Sequence, residues 1–209
     1  MRNTTPFQKS PLVWFLIFLG IAILAAALAP LEKTLGSNAR FVYFHGAWVW
    51  TAILSFGAAA FLGLLAVLSR RMDLHHWSLA LGRTGLFFWI TFLPMSLIVM
   101  QANWNGLFLD EPRFRIPLNF AIVGLLLQIG LALFSKPLWS SLANLAYGIA
   151  FFWGMTQAET ILHPDSPIFR SDARDIQVYF LLLTMILSIS ALCLAYRWLN
   201  WETRKNRAT

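Results

Sequence analysis

Arg40-Phe-Val-Tyr-Phe-His45-Gly-Ala-Trp48-Val-Trp50 opens an apolar run that continues to about residue 68, and its reading decides the fold. A helix needs roughly 20 apolar residues to cross a bilayer at 1.5 Å rise per residue. The run 42–68 exceeds that length, so a helix built on it tilts or projects beyond the hydrocarbon. His45 then lies at the mouth of a membrane span, among Tyr43, Trp48 and Trp50. An imidazole in that setting has two readings. It is a member of the aromatic belt at the interface, or it is a ligand for something held at the membrane boundary.

Comparable runs recur at about 12–30, 84–102, 117–134, 138–156 and 177–198. The chain has 209 residues, 58% hydrophobic and 12% charged, a balance outside the range of soluble domains. Together these predict an all-α integral membrane bundle of six transmembrane helices, one domain over residues 1–209. The first run is read as a span. Ala27-Leu-Ala29 has the form of a signal-cleavage box, but the apolar stretch is longer than the usual ~7–15 residues and Pro30 follows it. The single cysteine, Cys193, excludes a disulfide framework or a Cys-based metal site within the chain.

Six spans leave both termini on one side, and charge says which. Arg2, Lys9, Arg70, Arg71, Arg83, Lys136, Arg197, Arg204, Lys205 and Arg207 fall on the terminal side, against only Asp73 and Glu202. The other side carries Lys33, Arg40, Arg113, Arg115, Arg170 and Arg174 against seven acids. Cytoplasmic loops collect Lys and Arg, which predicts N-in and C-in. The net charge of +7 is thereby explained by membrane orientation, with no nucleic-acid partner.

Within the spans, Pro94 predicts a kink in the third, and Gly57-Ala-Ala-Ala60 with Ala59-xxx-Gly63 suits close helix approach in the second. Asn119, Gln128 and Asn144 read as interhelical hydrogen-bonding amides rather than a substrate path. His75 and His76, beside Arg70 and Arg71 in a cytoplasmic loop, read as headgroup-facing. No span carries two histidines a few turns apart, and no phosphate-binding glycine loop or His-Glu-x-x-His is present.

The predicted topology gathers distant segments on one face. His45 opens the second span there, His163 lies between the fifth and sixth, and Trp104–Arg115 connects the third to the fourth. Two neutral imidazoles suit the axial positions of a haem iron, an aromatic loop suits a porphyrin face, and arginines suit its propionates. Arg40, Arg113, Arg115, Arg170 and Arg174 are on that side.

Arg40-Phe-Val-Tyr-Phe-His45-Gly-Ala-Trp48 resembles the start of the second helix in the CcmC-type haem-handling membrane proteins of cytochrome c maturation. Thr160-Ile-Leu-His163 is similar to that family's second histidine stretch, after the fifth span. The family's tryptophan-rich loop corresponds to Asn103-Trp-Asn-Gly-Leu-Phe-Leu-Asp110-Glu-Pro-Arg113. Asp110 and a nearby arginine are retained, while Gly106, Leu107 and Leu109 stand where the family has tryptophans, and Trp104 is displaced. The resemblance implies a six-span, N-in and C-in protein of a bacterial-type inner membrane with its ligand face on the non-cytoplasmic side. It implies b-type haem held by His45 and His163 as metal ligands, with Trp48, Trp104, Asp110 and Arg113 around it. The function so expected is non-enzymatic haem handling and export in cytochrome c biogenesis, with a haem chaperone or other membrane subunits as partners beside the lipid. The altered loop motivates an alternative, an accessory or anchoring subunit of a larger respiratory or photosynthetic membrane complex, with or without haem. A small-molecule transporter is disfavoured by the lack of polar discontinuities in the spans.

Overall fold

The computed structural model describes residues 10–134, 136–159, 161–162, 167–170 and 172–208, with side chains through Glu202. Among the described residues there are six helices and no strand: α1 (Pro11–Ala27), α2 (Ala39–Ser69), α3 (Met72–Trp104), α4 (Pro112–Phe134), α5 (Pro137–Thr156) and α6 (Arg174–Ala208). The all-helical expectation therefore holds. Four of them, α2, α3, α4 and α6, are long and apolar enough to cross a membrane, which points to a membrane protein in contact with lipid. The shorter apolar helix α1 has 17 residues. Polar Ser140, Ser141 and Asn144 lie on α5 and dilute its hydropathy.

Helix starts follow local chemistry. α1, α4 and α5 each begin on proline, whose missing N–H costs nothing in a first turn that has no intrahelical acceptor for it. α2 stops at Arg70 and α3 at Asn105, both in the left-handed region (φ 54° and 53°) that ends a helix by reversing its backbone. The start of α3 corrects the sequence reading. The helix begins at Met72, not near residue 84, so His75, His76 and Arg83 are helical rather than in a loop. Arg83 ends the apolar run without ending the helix. Its guanidinium pairs with Glu202 of α6, with their side chains 14% and 13% exposed, and lies 5.8 and 5.6 Å from the ring centroids of Trp198 and Trp201.

α2 packs against α1, α3, α5 and α6, while among the described residues α4 touches α3 and α5 and no other helix. Lipid provides no hydrophobic drive between helices, so small residues and polar contacts must bring them together. At the α2–α3–α5 junction a Cβ on Gly63 would stand 2.7 Å from the Ser141 carbonyl oxygen. Ser78 Oγ donates to the Ala59 carbonyl at 2.8 Å, and Asn144 Nδ2 donates to the Ser78 carbonyl at 2.9 Å. Gln128 of α4 extends the network, donating to Asn144 Oδ1 at 3.2 Å. The two amides and the Ala59–Gly63 patch act as the sequence suggests. Asn119 differs, being exposed on α4. His75 also corrects its expectation. It is 5% exposed, and its Nδ1 lies 2.7 Å from Ser141 Oγ, because helix α3 turns it inward against α5.

Gly63→Ala is expected to destabilise the protein by about 1–3 kcal/mol, since the obstructing atom is a backbone carbonyl and the overpacking outweighs the helix-propensity gain of ~1 kcal/mol. Gly20→Ala, where nothing lies within 4 Å, is the matched control and should not destabilise. Thermal unfolding of the detergent-solubilised protein measures both.

Candidate functional site

Long-range hydrogen bonds show which chain segments share the His45 end of the bundle. Asn38, just ahead of α2, donates to the Ala102 carbonyl near the end of α3 (2.7 Å). Arg40 Nε donates to the Ala29 carbonyl after α1 (3.1 Å), and Tyr179 of α6 donates to the Ala25 carbonyl (2.5 Å). Trp89 Nε1 donates to the Pro117 carbonyl in the first turns of α4 (3.0 Å). Glu111, ahead of α4, accepts from the Leu162 N–H in the α5–α6 connection (3.2 Å). The start of α2, the α3–α4 loop and described parts of the α5–α6 connection therefore meet at one end. His163, the second expected ligand, lies outside the described residues.

His45 is half-buried, with its ring centroid 5.8 Å from that of Phe92, which itself packs at 4.5 Å on Trp89. The adjacent Gly46 is glycine for a packing reason. A Cβ there would stand 3.1 Å from the Phe180 ring of α6. Phe180 in turn packs on Phe169 of the α5–α6 connection, and Phe169 meets Trp50 edge-on at 6.1 Å. One turn beyond His45, Trp48 is 6% exposed and faces α3. Its Nε1 donates to the Phe88 carbonyl and to Thr91 Oγ1, each at 3.0 Å, and its ring lies 4.5 Å from Phe88. Trp48 thus joins α2 to α3.

Trp104, half-buried at the last residue of α3, meets Phe108 edge-on at 6.0 Å. Asp110 is exposed, 3.7 Å from the Arg115 guanidinium, a pair too solvated to stabilise much. Arg113 is half-buried in the first turn of α4. Two buried polar atoms at this end, Tyr43 Oη and Asn103 Oδ1, have no hydrogen-bond partner among the described residues. In the α1–α2 connection Glu32 accepts from the Leu35 and Thr34 N–H groups at 2.7 and 2.8 Å. These bonds, that from Leu35 foremost, hold its carboxyl below the usual carboxylate range.

The donor set described here is one imidazole amid aromatic surface, with guanidinium groups on the adjoining loop and helix. No group of three or more His, Cys, Asp or Glu side chains is arranged to hold a metal ion among the described residues. Glu111 is the residue that sequence reasoning passed over. It counted only as one of seven outer acids, although its place immediately before Pro112 marks a helix start. No family model, curated protein or solved structure matches the chain.

Trp48→Phe keeps an aromatic ring but removes the donor to Phe88 and Thr91. It is expected to cost about 1–2 kcal/mol of stability, read by thermal unfolding. A Trp48→Phe chain as stable as the parent would show that the indole N–H contributes nothing at this helix contact.

Proposed function

We propose that this chain crosses a bacterial-type inner membrane six times, N-in and C-in, and holds b-type haem on the non-cytoplasmic side. His45 and His163 are its axial ligands in this reading. Trp104 and the apolar 106–109 segment border the porphyrin, Arg113 serves a propionate, Asp110 flanks it, and Trp48 buttresses the ligand helix from below. The chain holds haem and passes it to a partner membrane subunit or chaperone, as the resemblance to the cytochrome c maturation family implies, without catalysing a reaction. Bound haem would be cargo, and its chemistry would be exercised elsewhere.

The single observation that carries this reading is the folding of the α5–α6 connection onto the His45 helix, Phe169 against Trp50. A second support is the charge asymmetry that assigns this end to the non-cytoplasmic side. The partner-subunit alternative is favoured by a different feature. Trp104 is the only tryptophan in residues 103–113, where a haem-presenting loop of that family is rich in them.

Purified protein is expected to show a Soret band and a pyridine haemochrome of b type, both lost in His45→Ala and in the double variant His45→Ala/His163→Ala. Haem that survives the double substitution, or a wild-type chain without haem after expression in haem-replete cells, overturns the proposal. Co-purification of stoichiometric membrane subunits, with intact cytochrome c maturation on deletion, selects the accessory-subunit reading.

A further inference from the structure

One acid at the His45 end is set apart by its burial. Glu111 is 4% exposed, and its two carboxylate oxygens lie 3.2 and 3.4 Å from the Leu162 backbone nitrogen. A buried carboxylate is costly unless hydrogen-bonded, and its bond to a backbone N–H is about twice as strong as a neutral one. Glu111 also stands immediately before α4, where its own carbonyl accepts from the Phe114 and Arg115 N–H groups at 2.8 and 2.9 Å. Negative charge is favoured there by the helix dipole. Helix capping, however, does not call for glutamate. Aspartate or asparagine caps better, because the shorter side chain folds back onto the first turn. What glutamate adds is reach, and that reach ends on a residue 51 positions away.

We propose that Glu111 is a positioning residue, a clasp that fastens the α5–α6 connection to the α3–α4 loop through the Leu162 N–H, one residue ahead of the proposed ligand His163 in the chain. Its bearing on haem rests on the function proposed above. The clasp between two loops does not. Two surfaces that belong to different helix hairpins are joined by one charged acceptor, and the second hairpin contributes only a backbone donor. The contact therefore depends on the reach of residue 111 and on its acceptor oxygen, not on the identity of residue 162.

Trypsin cleavage after the exposed Arg170 and Arg174 in the detergent-solubilised full chain reads the clasp without haem. Glu111→Ala and Glu111→Asp are each expected to speed that cleavage about tenfold, while Glu111→Gln, which keeps the reach and an acceptor oxygen, shifts it by less than about threefold. Equal rates in all four proteins overturn the clasp. Acceleration confined to Glu111→Ala assigns the residue to helix capping and also overturns it. In haem-loaded protein, Glu111→Asp is expected to convert low-spin six-coordinate iron to a high-spin form with haem stoichiometry retained through His45. Faster cleavage with an unchanged spectrum overturns the positioning of the ligand. A wild-type chain that takes up no haem removes the proposed function, and the cleavage rates then still decide the clasp.

Discussion

The bundle depends on how closely α2 approaches its neighbours. Water does not force helices together inside lipid, so each contact must be made by complementary shape or by hydrogen bonding. On α2, Gly63 admits the Ser141 carbonyl of α5, and Gly46 lies under the Phe180 ring of α6. The complement is also found in reverse. Gly85 of α3 accommodates the Phe56 ring, and Gly148 of α5 accommodates Ala60. With small residues on both sides of these seams, α2 becomes the axis against which three other helices are set. The direction in which His45 faces is inherited from that arrangement, because its neighbours Gly46 and Trp48 are both committed to packing.

The two ends of the bundle are built differently. At the end bearing the α2–α3 turn, His75, Ser78, Ser141 and Asn144 form a buried polar network, and Arg83 is paired with Glu202 between tryptophans. Those groups are engaged with one another and hold four helices in register. At the opposite end the side chains of Asn38, Arg40 and Tyr179 reach backbone carbonyls of other segments, and aromatic rings make much of the remaining contact.

The long helices are legible from hydropathy because a run above the bilayer length is a local property of the chain. What hydropathy loses is everything settled by a distant partner. Arg83 looks like the limit of a span until Glu202, 119 residues away, is seen to neutralise it within the helix. His75 beside Arg70 and Arg71 looks solvated until Ser141, 66 residues on, meets its ring nitrogen. Asn119 and Asn144 are the same amide in similar apolar surroundings, yet one is exposed and the other buried, a difference of helix rotation that spacing alone does not encode. Of the candidate site, His45 and its aromatic setting are readable in one short stretch. Glu111 is not, because its importance comes from burial against a residue of another hairpin.

The turn between α2 and α3 has a consequence for how the two helices move. Only Arg70 and Arg71 separate Ser69 from Met72. That leaves no slack between them. The two are held as a folded-back unit, with Arg70 and the Arg71–Asp73 ion pair at its vertex. A bend of two residues thus couples two long helices at the bundle's centre, since a shift of α2 along its axis must be taken up by α3.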